Sequence, residues 1–184
     1  TSYKWKALYG HQLLYAGPLF IHQMAHAFID FRGIADSYMR ERRSDYFENS
    51  RRATYVQREY AMRNPRQFAK YGENCWGVSA SAGPAEGKFF GYRARGVPYG
   101  PDDGTISPLA TAASLPFAPE IVLPALDHMR DVSGDDGTWS SCFNATYSPD
   151  DSAWKAPHSY AIDEGLAALM IENHRRELIW RLLR

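Results

Sequence analysis

Between Pro65 and Pro108 the chain carries eight glycines, several prolines and no run of β-branched residues long enough for a strand. A stretch of this length cannot be one helix or one sheet element. Ordinary connections are far shorter, so an unbroken region of this kind reads as a structured rim or binding lid. Segments on either side carry helical signals. The chain is therefore expected to be all-α, with about five or six helices separated by long, aromatic-bearing loops and no sheet. Its 184 residues, 45% hydrophobic and 23% charged, suffice for one sizeable core. The 21 basic and 21 acidic residues cancel, which disfavours nucleic acid and acidic membrane surfaces as partners. No apolar run approaches the length of a membrane span.

Residues Gln12 to Phe28 carry apolar side chains on more than one side, and a buried helix is expected there, interrupted or started at Gly17-Pro18. Gly33 precedes a short helix over Ile34 to Arg42, with its basic tail at the C-terminal end. Asp45, with Glu48 three residues on, forms an acidic capping box that opens a long helix to about Asn64, stopped by Pro65. Ser107 and Pro108 provide an N-cap and a first helical residue. Pro119 opens a helix over Glu120 to Asp131. In the last helix Ile162, Leu166, Leu169 and Met170 form an apolar stripe. Cys75 and Cys142 permit one long-range disulfide or two buried thiols. The N-terminal TSYKWKALYG has neither an initiator Met nor an apolar signal core, so the start reads as processed or cut.

The 5 Trp and 12 Tyr give 17 amphipathic rings, suited both to stacking on sugars and to ordinary cores. Glycosidic hydrolysis needs a protonated carboxyl to donate to the leaving oxygen, a second carboxylate, and rings against the sugar faces. In YGENCWG, Glu73 stands three residues before Trp76, an acid beside a possible platform. PYGPDDGT offers Asp102 and Asp103 in a Gly/Pro turn, where the first is expected to bond its own backbone. YAIDEG places Asp163 and Glu164 at a helix start, where capping is the default explanation. His22 and His26 share a helical face with Gln23 between them. A zinc hydrolase motif would need Glu at that second position, so hydrogen-bonded cleft or core histidines are expected instead of a metal site. Asp30 and Arg32 suit an ion pair or polar cleft wall. Neither a phosphate loop nor GxGxxG occurs, and GVSAS lacks the closing Gly of a nucleophile elbow.

The segments YGHQLLYAGPLFIHQMAHAFIDFRGI, DYFENSRRATYVQREYAMRNP, YGENCWGVSASAGP, DDGTISPLATAASLPFAPEIVLPAL and IDEGLAALMIENHRRELIWRLLR run in family order over nearly the whole chain. Together they resemble the glucoamylase-domain family, and most its bacterial endo-β-1,2-glucanase branch of glycoside hydrolases. The resemblance implies an (α/α)6 toroid, of which this chain is the C-terminal half. It also implies inverting hydrolysis of β-1,2-glucan without metal or organic cofactor. A missing N-terminal part, with a Tyr-Asn-Glu segment that could hold the general acid, would then be a partner, as would a second copy of the chain. Within the covered part Glu73, Asp103 and Glu164 would be the catalytic candidates. Trp76 and Trp154 would stack glucosyl rings, and His22, Gln23, His26, Asp30 and Arg32 would bind hydroxyls or position carboxyls. Met24-Ala25 departs from the Tyr-Ser pair common in HQYSH, and Glu164 from the Gln of IDQG. A polymeric substrate implies a periplasmic or secreted enzyme. The rival expectation is a non-catalytic saccharide-binding fragment or inactive homologue with the same aromatic cleft.

Overall fold

The computed structural model describes residues 4–84, 91–133, 143–144 and 154–184. Trp5–Leu8 (β1) and His11–Leu14 (β2) pair antiparallel, from Trp5↔Leu14 to Leu8↔His11. Tyr9 and Gly10 join them at φ of 49° and 84°, the left-handed pair that a two-residue hairpin loop needs. This corrects the buried helix expected over Gln12 to Phe28. Leu8 and Leu13 reach the same side across the turn and pack on Ala53 and Val56, a strand arrangement concealed in the mixed pattern. After Pro18 only two short 3-10 turns follow, Leu19–His22 and Met24–Ala27.

Ser37–Glu41 (α1) is capped by Asp36, whose carboxylate accepts from the Met39 N–H at 2.8 Å. Tyr46–Arg63 (α2) is the long helix expected: Asp45 accepts from the Glu48 N–H at 2.7 Å, and Asn64 ends it in the left-handed region. Asp45 also accepts from the Gly33 N–H at 3.0 Å. Asp45→Ala should cost about 1 kcal/mol of stability, read as a lower urea midpoint at unchanged slope.

The region from 65 to 108 is irregular but not strand-free, so the expectation of no sheet is corrected. Ala80–Ser81 (β3) pairs with Arg93–Ala94 (β4), and Thr105–Ile106 (β5) with Phe143–Asn144 (β6). Such two-residue ladders carry no periodic signal in a sequence. Gln57 of α2 binds both backbone groups of Val78, accepting from its N–H at 3.0 Å and donating to its carbonyl at 3.1 Å. The segment before β3 is thereby tied to the longest helix.

Pro108–Ala112 (α3) begins at Ser107, whose hydroxyl accepts from the Ala110 N–H at 3.3 Å. Pro119–Ser133 (α4), Ala161–Arg176 (α5) and Leu178–Leu182 (α6) complete the described helices. The largest core cluster gathers Trp76, Tyr60, Tyr71, Val78, Ile106, Val122 and Met129 from α2, α4 and the loops between them. Leu166 and Met170 of α5 pack with Ala27, Ala113 and Phe117, whereas Ile162, at the start of the expected stripe, is exposed. Left-handed Glu177 separates α5 from α6. Asn173 holds that corner by accepting from the N–H groups of Ile179 and Trp180 and donating to the Ala27 carbonyl. Cys75 is a buried thiol, and Cys142 lies outside the described residues. Among the described residues no helix is long and apolar enough to cross a membrane.

Candidate active site

The segment around β4 contacts acids from two distant parts of the chain. Just before β4, the Tyr92 hydroxyl donates to Asp163 Oδ1 at 3.1 Å, across 71 positions. The Tyr92 ring meets Tyr160 edge-on at 4.8 Å between centroids. Just after β4, Arg95 grips Asp103 with Nε to Oδ1 at 2.7 Å and Nη2 to Oδ2 at 3.0 Å. One short segment, Tyr92 to Arg95, thus touches the start of α5 and the DDGT turn.

Electrostatics separate the two carboxyls. Burial pushes Asp163 up to about 6, with adjacent Glu164 adding to the rise and Tyr92 opposing it. The N-cap of α5 is Tyr160, whose own side chain makes no cap bond. Asp163 stands in the first turn of α5, where an acid favours the helix start, and its carboxyl is also half-buried against a phenol. Burial also works to raise Asp103, but hydrogen bonds from Arg95 and Thr105 overcome it and hold this acid below the ordinary carboxylate range. Two carboxyls pushed in opposite directions make an acid-base assignment possible. Glu164 itself is exposed on the first turn of α5.

The other expected residues are dispersed. Glu73 is 63% exposed and paired with Arg58, the arrangement of a solvated loop acid. Trp76 is 0% exposed within the main core, so the expected acid beside an open stacking ring is not formed. Its large apolar ring packs in the cluster to which α2 and α4 contribute, and removing that area from water is favourable. Gln23 is likewise corrected from hydroxyl binding to packing, since its buried amide donates to the Ala110 carbonyl and the Ser114 hydroxyl, both at 2.7 Å. Asp30 and Arg32 form a bidentate pair at 2.8 Å, extended by Arg184 and Glu177 at the corner of α5 and α6. Trp154 is half-buried. Asp102 accepts from Tyr60 at 2.8 Å, Tyr71 at 2.7 Å and the Gly104 N–H at 3.0 Å. It is a buried anchor for the turn that presents Asp103.

His22 and His26 border a cavity of about 300 Å³, lined also by Tyr15, Phe31, Asn49 and Ser50. His22 Nε2 lies 3.2 Å from the Ala16 carbonyl, and His26 Nε2 lies 2.9 Å from the Ser50 hydroxyl. Burial pushes both rings down to about 4, so both are neutral near pH 7. In the unfolded chain they protonate near 6.5, so stability is full above that value and falls as pH drops from 6.5 to 4. Each ring contributes a slope of about 1.4 kcal/mol per pH unit there. Thermal unfolding at several pH values should show this slope, and His26→Gln should flatten it. Among the described residues no group of three metal-ligating side chains gathers.

Residues 1–184 match the model of the Glycoamylase family, described as "Putative glucoamylase". The chain belongs to this family. A relative from Parabacteroides distasonis, an exo β-1,2-glucooligosaccharide sophorohydrolase, is 29% identical over 171 residues, covering 90% of this chain and 22% of that protein. The crystal structure of a "putative glucoamylase" from Bacteroides uniformis superposes with a TM-score of 0.82 at 34% identity, over 98% of this chain and 42% of the other. An endo-β-1,2-glucanase from Chitinophaga pinensis, in complex with sophorotriose and glucose, gives a TM-score of 0.81 at 30% identity, over 98% of this chain and 43% of the other. This Glycoamylase-family chain therefore spans less than half the length of these relatives, and its helix-rich fold is shared with part of them.

Sequence reasoning missed Tyr92 and Arg95. The Tyr92–Asp163 contact has no local signature. Arg95 stands only eight positions before Asp103, and RARGVPYGPDDGT could have suggested a basic partner for that turn.

Proposed function

We propose that the chain is the C-terminal half of an (α/α)6 glycoside hydrolase domain that cleaves β-1,2-linked glucan with inversion at the anomeric carbon. The observation that carries this reading is membership of a family whose relatives include β-1,2-glucan hydrolases, and the differing environments of Asp163 and Asp103 support it. Asp163, neutral below about pH 6, is suited to giving its proton to the leaving glycosidic oxygen as the C1–O bond breaks. Asp103, held anionic, is suited to taking a proton from the water that attacks C1 from the opposite face. Exposed Glu164 beside Asp163 is a charge that tunes the donor and a hydroxyl-binding group. Glu73 is assigned to the rim. The His22–His26 cavity is suited to a hydroxyl-bearing ring, with neutral imidazoles as hydrogen-bonding groups and Phe31 as an apolar face. Trp154, half-buried, is the remaining candidate for stacking. The rest of the domain would supply the opposite cleft wall. It would also cover Phe28, Ile29, Ile34, Leu182 and Leu183, which are exposed here.

Proton NMR of a β-1,2-glucan digest, recorded as the reaction starts, tests the reading. Cleavage of a β-linkage with inversion gives the α-anomer first. A β-anomer overturns inversion, and binding of glucan without new reducing ends overturns hydrolysis in favour of a saccharide-binding module.

A further inference from the structure

Arg95 is 1% exposed, the most deeply buried cation among the described residues. Such a charge is tolerated only when paired and hydrogen-bonded on every side. Asp103 takes Nε and Nη2, while Nη1 donates to the Ser81 carbonyl at 2.7 Å and the Ala82 carbonyl at 3.4 Å. The guanidinium thereby bridges β3, the residue after it and the DDGT turn. Its seat depends on a missing side chain: a Cβ on Gly83 would stand 1.9 Å from Nη2 and 2.9 Å from Cζ. The Gly83 backbone does not itself require glycine, since its φ lies outside the left-handed range. Space for the guanidinium is what the absent side chain provides.

We propose that Arg95 is the positioning residue for the Asp103 carboxylate, and that Gly83 is the residue whose lack of a side chain admits it. This rests on the reading of Asp103 as a cleft acid. A bidentate guanidinium fixes both the plane and the direction of a carboxylate. A lysine at the same position would supply charge without the fork. Charged groups near Asp103 among the described residues include Arg93, whose Nη2 lies 3.8 Å from Oδ2, and the neighbouring Asp102, turned towards Tyr60 and Tyr71. Thr105 adds a backbone N–H at 3.2 Å. Of these contacts, those of Arg95 alone engage both carboxylate oxygens through one planar group.

The test uses the full-length protein with Arg95→Met, Arg95→Lys and Gly83→Ala. Two readouts are needed: carboxyl-carbon NMR titration of Asp103, assigned with Asp103→Asn, and the pH profile of glucan hydrolysis. In Arg95→Met and Gly83→Ala the Asp103 midpoint should rise, and kcat should fall about 10²-fold with KM close to the parent value. Arg95→Lys should restore the charge effect in part and leave kcat low. Gly83→Ala keeps every charge in the protein, so it reports on geometry where Arg95→Met disturbs folding. An unchanged Asp103 midpoint in Gly83→Ala and Arg95→Lys overturns the positioning role while leaving the cleft reading intact. Asp103→Asn with parental turnover overturns the cleft reading, whatever the titration shows.

Discussion

Asp163→Asn should lower turnover of β-1,2-glucan about 10²- to 10⁴-fold, the range expected when a positioned proton donor is removed. The pH dependence follows from the raised carboxyl. Asp163 is pushed from an ordinary 3.8 up to about 6. The protonated donor is present below about 6, so the rate of the parent should fall as pH rises through that value. Stability carries the same sign. The fold disfavours the ionised carboxyl, so stability present at low pH is lost as pH rises from about 4 to 6. The Asn variant never ionises, so at pH 7 to 8 it should melt above the parent while being nearly inactive. This opposition between activity and stability distinguishes a proton donor from a structural acid. Initial rates and melting temperatures across the pH range are the measurements. Parental rates together with a pH-independent difference in melting would remove Asp163 from the chemistry.

Gly96→Ala should unfold or severely destabilise the chain. A Cβ on Gly96 would stand 2.3 Å from the Gly17 carbonyl carbon and 2.6 Å from both Gly17 Cα and Pro18 N. These are backbone atoms, so no side chain can turn aside, and the cost should exceed the roughly 1–3 kcal/mol of ordinary overpacking. The seam matters because Gly96 follows Arg95 and its N–H donates to the Pro101 carbonyl at 3.0 Å. That bond closes the loop leading to Asp102 and Asp103. Gly165→Ala provides the contrast, since a Cβ there meets nothing within 4 Å inside α5. It should stabilise by about 0.5–1 kcal/mol through helix propensity. Chemical denaturation of the two variants beside the parent reads both effects. Equal stability of Gly96→Ala and parent would contradict the described approach of the two segments.

Helices bounded by local chemistry were legible in the sequence. Asp45 with Glu48 and Ser107 with Pro108 each mark a start through groups within one turn, and Asn64-Pro65 marks an end. The hairpin was not legible, because β1 and β2 are short and the loop Tyr9-Gly10 lacks the usual Asn-Gly or Asp-Gly pair. The two-residue ladders were invisible for the same reason of length.

At the site, the motifs offer Asp103 and Glu164 as candidates, with Asp163 beside the latter. Glu73 stands out in sequence because Trp76 is three residues away. That proximity in sequence did not become a shared surface, since Trp76 turned into the core while Glu73 met Arg58 at the surface. What distinguishes Asp163 is burial against Tyr92, which depends on a contact across 71 positions. What distinguishes Asp103 is an arginine seated in the space left by Gly83. Neither arrangement leaves a trace in local spacing.

The most direct measurement is reducing-sugar release by the full-length protein from β-1,2-glucan, with β-1,3- and α-1,4-glucans in parallel. Release from the β-1,2-linked substrate, little or none from the other two, and its loss in Asp163→Asn is the expected result. Equal release from all three, or β-1,2 cleavage undiminished by Asp163→Asn, would contradict the account.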